Sequence, residues 1–339
     1  MRYFIIIIIC LLLKQNLTAQ DVHFSQYSEY PQYVNPALVG LFEGNFRVNL
    51  GAKSQWGFNN NAYKTIIFNA DANLFRGNLS NDYMGAGIFV LSDKAGDSRF
   101  TTNAFGISVA YHKGLNDKFN HFISIGLQAG LKQRTIDMTK IVFEDQYQNG
   151  NTNGNTAETG LNNLSLTFPD FSAGINYYVN ANDNITFYTG FSYNHIKKNN
   201  VSFYDNVEEI LQNRNSIYGG IDFITNNNIE ISPKILYQFQ NPSKEIIAGL
   251  MFKYIMQENY QKPAQYFAVG FYNRFSDAVY FVGKYSMYNF SLGVSYDINT
   301  STLSEASGGK GGPEISIGYI GNIGGGARDF TKEIKCPSF

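Results

Sequence analysis

The chain has 339 residues, with 26 basic and 27 acidic side chains and a formal net charge of -1, so it carries no strong positive field for a nucleic-acid partner. One of its two cysteines, Cys10, lies in the apolar N-terminal run, which leaves Cys336 alone in the remainder and excludes an internal disulfide there. The 24 Tyr, 28 Phe and 32 Gly against 8 Pro and 1 Trp suit aromatic-rich strands, with glycine where the backbone bends or neighbours crowd.

Residues 1–19 read as a removable secretion signal: Arg2 is the positive region, Tyr3 to Leu13 the apolar run, and Leu17-Thr18-Ala19 the small-residue exit. Lys14, Gln15 and Asn16 close the run short of the roughly 20 apolar residues that a spanning helix needs. Cys10 lacks the preceding small residues of a lipidation site. Residues 20–44 then form a separate segment, periplasmic or plugging. Pro31 and Pro36 forbid a regular strand or helix through it, and Phe24, Tyr27, Tyr30 and Tyr33 need a surface to cover. A cap on the periplasmic mouth and a partner-docking site both fit.

From residue 45 to about 320 the dominant signal is period two. Phe122, Ser124, Gly126, Gln128 and Gly130 alternate with Ile123, Ile125, Leu127, Ala129 and Leu131; Phe105, Ile107, Val109 and Tyr111, and Phe290, Leu292, Val294, Tyr296 and Ile298, repeat the pattern. Each run builds one apolar wall and one small or polar wall. Candidate strands fall at 45–55, 64–74, 83–91, 99–112, 119–133, 170–180, 184–196, 215–225, 229–240, 244–256, 264–274, 277–286, 288–300 and 312–320. The even number, about fourteen, and lengths near the 9–11 residues of a tilted spanning strand predict an all-β fold, a transmembrane antiparallel β-barrel. Unpaired backbone groups are too costly in hydrocarbon for the sheet to stay open.

Bacterial barrels keep short turns in the periplasm and long loops outside. With both termini periplasmic, the long gaps 134–169 and 197–215 and the loop 301–311 face outward, while 181–183 and 226–228 make periplasmic turns. The gap 257–263 is long for its periplasmic place. A barrel of this size has room for a plug, for which 136–167 and 21–44 are the candidates. Residues 321–339 form a periplasmic tail.

No motif compels chemistry. Asp93, Lys94 and Asp97 read as a solvated turn, because calcium wants 6–8 oxygen ligands and no distal Glu completes a loop. Gly308, Gly309, Gly311 and Gly312 around Lys310 lack the Ser or Thr of a phosphate loop. The 4 histidines show no zinc spacing, and His121 is the least implausible base of a barrel hydrolase. The reading is therefore non-enzymatic, with no cofactor, no metal and no small-molecule substrate. Trp56, at the outer end of the first strand, reads as an interfacial anchor.

Six stretches carry a family resemblance: HFSQY at His23 to Tyr27, NPALVG at Asn35 to Gly40, SQW at Ser54 to Trp56, SDKAGDS at Ser92 to Ser98, YDINTSTLSEASGGKGGPEISIGY at Tyr296 to Tyr319, and CPSF at Cys336 to Phe339. The chain resembles the PorP/SprF family of outer-membrane proteins of the type IX secretion and gliding machinery of Bacteroidota. Pro313 stands before EIS where that family often has an aromatic. The resemblance implies an outer-membrane barrel that works with secretion components to deliver, attach or dock a secreted adhesin or gliding protein at the cell surface, amid outer-membrane lipids. It carries over no catalytic residues. Asn35, Pro36, Ala37, Gly40, Gln55, Trp56, Asp93, Cys336, Pro337 and Phe339 become candidates for a structural or docking motif. A passive porin for small solutes is the alternative, from the polar inner wall.

Overall fold

The computed structural model describes residues 21–55, 63–79, 81–96, 100–116, 120–137, 141, 144–148, 151–152, 164–182, 184–204, 207–226, 228–259, 262–301 and 304–322. The signal segment 1–19, Trp56, Asp97, and Cys336, Pro337 and Phe339 of the tail lie outside the described residues.

The alternating runs become the staves of a closed ring. In chain order they are β1 (Phe46–Gln55), β2 (Tyr63–Leu79), β3 (Asp82–Ala95), β4 (Phe100–Gly114), β5 (His121–Thr135), β6 (Ser165–Asn182), β7 (Ile185–Asn194), β8 (Arg214–Asn226), β9 (Ile229–Gln240), β10 (Ser243–Asn259), β11 (Lys262–Arg274), β12 (Ala278–Met287), β13 (Phe290–Asn299) and β14 (Lys310–Gly321). Each pairs antiparallel with its neighbours in chain order, and β1 closes on β14 from Phe46 opposite Gly321 to Lys53 opposite Glu314. The predicted fourteen-strand antiparallel barrel is the observed one. Two short strands, Tyr147–Gln148 and Asn151–Thr152, pair antiparallel in a sheet separate from the ring.

The walls face as the alternation requires. Ile125 is 59% exposed and Leu127 58%, both on the outer face, whereas Phe122 and Ser124 on the same strand are fully buried inside. A surface of this kind is stable only against lipid.

Several strands outrun their hydrophobic pattern. β2 and β10 have 17 residues each and β6 has 18. Ladder hydrogen bonds continue beyond the apolar belt into polar sequence, where hydropathy gives no signal. The expected long connection 257–263 is thereby corrected: β10 runs to Asn259 and β11 starts at Lys262, with bulges after Ile255 and Gln257 absorbing the register.

The two rims differ. One carries the tight connections and the start of β1 and end of β14. The other carries the β5–β6, β7–β8 and β13–β14 loops, although Gln240 to Ser243 and Arg274 to Ala278 are short turns there. The β7–β8 loop folds inward at this long-loop rim. Its Val201 and Leu211 pack on Phe168, and Asn199 donates to the Pro169 carbonyl at 2.8 Å.

Residues 21–44 occupy the lumen. The segment begins at the long-loop rim beside Gln240 and ends at the short-turn rim, where Asn73 donates to the Gly44 carbonyl, before the chain turns back into β1. Its proline-spaced turns are Tyr27–Glu29, the one-turn helix Pro31–Val34 and Pro36–Leu38. Phe24 packs on Tyr30 and Tyr33 with ring centroids 4.7 and 5.5 Å apart, so the plug has a small core of its own. Val34, Leu38, Val39, Leu41 and Phe42 are buried too, each worth roughly 1.5–3 kcal/mol over exposure.

Candidate functional site

The lumen holds the densest set of polar contacts, and the stretch Asn35 to Gly40 is at its centre. Asn35 is fully buried, and its Oδ1 accepts from the Ala37 amide at 2.8 Å, capping the Pro36–Leu38 turn. Its Nδ2 donates to the Ile175 carbonyl at 3.0 Å, the Phe191 carbonyl at 3.2 Å and the Tyr218 hydroxyl at 3.0 Å. One amide thus ties the plug to β6, β7 and β8. Pro36 presets the first turn residue.

The wall is thinned where this turn touches it. A Cβ at Gly126 would meet the backbone of Pro36 and Ala37, one at Gly174 would meet the Asn35 side chain, and one at Gly85 would meet the Val39 carbonyl. Gly40 itself has φ +78, a left-handed conformation that favours glycine, and its amide donates to Asp71 Oδ2 at 2.8 Å. Arg47 grips the same carboxylate through Nε at 3.0 Å and Nη2 at 2.8 Å. The Val39 carbonyl can only accept, so His112 Nε2 donates to it at 2.7 Å and Nδ1 accepts from Ser124 Oγ, also at 2.7 Å.

Two charged clusters hold the other end of the plug. Asp21 meets Lys132 at 3.2 Å, His195 Nε2 at 2.6 Å and Arg214 at 3.2 Å, while His195 Nδ1 lies 2.8 Å from Asp170. Burial pushes the Asp21 carboxyl up, but Lys132, His195 and Arg214 outweigh it and hold the group well below the usual carboxylate range. In the second cluster Ser25 donates through Oγ to Asp297 at 2.5 Å and through its amide to Glu314 at 2.8 Å. Arg274 donates to both Ser25 Oγ, at 3.1 Å, and Asp297, at 3.2 Å. Lys53 lies 3.5 Å from Asp297 and donates to the His23 carbonyl at 3.1 Å. Burial, helped by Arg274 and Lys53, holds the His23 imidazole well below its ordinary value.

The remaining candidates scatter. Gln55 ends β1 opposite Tyr63, and Asp93 accepts from Thr65 Oγ1 across the ladder at 2.6 Å. His121 sits at the short-turn rim, 3.4 Å from the Tyr177 hydroxyl, away from the charged clusters. Sequence reasoning did not single out Asp21, Lys132, Asp170, Arg214, Arg274, Asp297 or Glu314, and took His195 only as one of four scattered histidines. Their signal was phase: each wall residue among them is an ionisable side chain at an inward position of an otherwise apolar strand, or at its rim.

A lipid-facing ring of fourteen strands with its interior filled by the preceding segment defines an outer-membrane β-barrel of the plugged kind. The sequence places it further: residues 16–319 match the family described as type IX secretion system membrane protein PorP/SprF, and the chain belongs to that family. No curated protein matches it significantly in sequence. Among solved structures, the Ralstonia pickettii toluene transporter TbuX is similar with a TM-score of 0.52 at 13% identity, covering 86% of this chain and 93% of TbuX. A deltaS2 mutant of the monoaromatic hydrocarbon channel TodX gives 0.50 at 10% identity, covering 86% and 93%. At such identities the likeness is one of fold. Family and fold neighbours alike are membrane barrels, channels or secretion components rather than enzymes.

Proposed function

We propose that this barrel is a docking component of the type IX secretion system, which holds a secreted adhesin or gliding protein at the cell surface together with other secretion components. The observation that carries the reading is the filled lumen in a member of a secretion family: with Asn35 to Phe42 seated against the wall and Asp21 and Ser25 clamped at the opposite end, the interior is spent on a fixed plug. Docking needs a rigid platform, and the contacts of the plug with the wall supply it. In this reading the short-turn rim faces the periplasm, the long loops face outward, and the cleaved chain starts near Gln20. The passive porin is the weaker reading, since a plugged ring should pass little steady current.

Affinity purification from native membranes tests the docking reading. A secreted surface protein or a secretion component should co-purify, and deletion should release that protein into the medium. Absence of both, with surface display and gliding unchanged in the deletion strain, sinks the proposal.

A further inference from the structure

The outer wall changes character where β2 to β6 rise past the apolar belt at the long-loop rim. On β3, β4 and β5 the belt ends with Val90, Phe105 and Leu131, exposed and opposite one another in register. Outward side chains recur at every second residue, so the next row of this face is Ser92, Asn103, Gln133 and, on β6, Thr167. The row beyond runs Ser54, Lys64, Lys94, Thr101, Thr135 and Ser165 from β1 to β6, each opposite the next. Gln133 Nε2 donates to Ser165 Oγ between the rows at 3.2 Å, and Ile66 on β2, beneath Lys64, is the apolar edge of this polar face.

Lys64 and Lys94 stand directly opposite one another across β2 and β3, and both are exposed. Like charges so placed, with Cβ atoms roughly 5 Å apart, repel and weaken the pairing of their strands. Nothing acidic answers them: no outward position of either row is a carboxylate, and Asp93, beside Lys94 in sequence, faces inward to accept from Thr65 Oγ1 at 2.6 Å. Neither lysine has a carboxylate partner among the described residues. The far side of the same rim is built differently. There Phe239, Ile246 and Ile298 carry apolar groups outward close to the ends of β9, β10 and β13, and β10 offers one outward cation, Lys244, 6.0 Å from the Phe239 ring.

We propose that the outward face of β2 to β6 at the long-loop rim binds the phosphorylated headgroup of an outer-leaflet glycolipid, one phosphate lying between Lys64 and Lys94. The side chains of Ser92, Asn103, Gln133, Thr101 and Thr135 take the sugar. The occupant follows from place and chemistry. This face continues the lipid-covered belt without a break, so what meets it is the headgroup of the lipid whose chains cover Val90, Phe105 and Leu131. Paired ammonium groups at a membrane surface attract lipid phosphate, and a field of amides and hydroxyls without carboxylates suits sugar hydroxyls. From Val90 to Lys94 the wall climbs on the order of 10 Å along the membrane normal, at about 3.3 Å per residue and a tilt of about 40°, which exceeds the roughly 5–7 Å headgroup layer of a phospholipid leaflet. The proposal takes from the functional reading only the outward placing of the long-loop rim.

The test is native mass spectrometry of the full-length protein in neutral detergent, titrated with lipid A. Wild type should hold one lipid A. The double variant Lys64→Ala with Lys94→Ala should bind it at least tenfold more weakly, Lys64→Arg with Lys94→Arg should keep it, and Lys244→Ala should bind as wild type does. Both lysines lie on the exposed wall, so heat-modifiable gel mobility should be the same in all of these proteins. Equal binding by the double variant and wild type overturns the proposal, as does equal binding of lipid A stripped of its phosphates. Phosphatidylglycerol bound as tightly as lipid A overturns the choice of a glycolipid, and inorganic phosphate that displaces lipid A at equal concentration overturns the choice of a lipid. Binding in detergent involves no secreted partner, so failure here and failure of the docking reading remain distinguishable.

Discussion

Gly126 on β5 lies against Ala37 of the plug so closely that the first atom of any side chain at Gly126 would collide with the Ala37 backbone nitrogen. The plug and this strand are therefore fitted at the level of the main chain. Gly126→Ala is expected to lower unfolding stability by about 1–3 kcal/mol, the usual cost of overpacking. Gly283→Ala is the control, because the nearest atom to its added carbon is 4.0 Å away, and it should be near neutral. Urea unfolding in lipid vesicles compares the two.

Asn35 separates the loss of a bond from the placing of a charge. Asn35→Ala strands the buried Ala37 amide and should cost about 2–3 kcal/mol, while the Tyr218 hydroxyl keeps its bond to Asn176 Oδ1 at 2.9 Å. Asn35→Asp keeps an acceptor for Ala37 but turns a carboxylate toward the Ile175 and Phe191 carbonyls, which also only accept. It should be the more damaging of the two in the same unfolding measurement, despite its smaller change of shape.

Arg47 and Asp71 form a buried pair from which Gly40 takes its anchor. Removing the cation alone, Arg47→Ala, leaves an uncompensated buried carboxylate and should destabilise by about 3–5 kcal/mol. Adding Asp71→Asn should recover part of the loss. A double-mutant cycle reads the coupling, and strictly additive losses would show that the pair does not act as a unit.

The Asp21 cluster gives a pH signature. A carboxylate depressed in the folded state adds stability that is full above its unfolded value of about 3.9 and is lost as pH falls through the lower folded one. The stability difference between wild type and Asp21→Asn should thus be constant near neutral pH and shrink only below about pH 4. Thermal unfolding in detergent across that range measures it; a difference that persists unchanged to pH 2 would mean that the carboxylate charge is not what Asp21 contributes.

Much of the wall was legible because its two faces meet opposite solvents. Ile125 and Ser124 can be sorted by hydropathy alone, and with them the strand, its phase and its neighbours. The ends of β6 and β10 were not legible, since polar residues in a ladder above the lipid look like loop. For the interior, the prolines and aromatics of residues 21–44 showed that the segment needed a covering surface, while its depth and direction came only with the contacts. Charged contacts such as Asp21 with His195, or Ser25 with Glu314, join residues 174 and 289 apart in sequence, and no local pattern encodes them.

That last separation bears on how the molecule comes together. The inner face of β14 carries Glu314 and Ser316, whose partners are Ser25 and Gln26, while its edge pairs with β1. The final strand is therefore completed from two sides by the earliest part of the described chain. Closing the ring and filling it become a single event, one that joins contacts of nearly the greatest loop length the chain permits, and so the most entropically delayed. An assembly factor that keeps the first described residues from leaving the growing sheet would speed that step more than one acting on any hairpin in between.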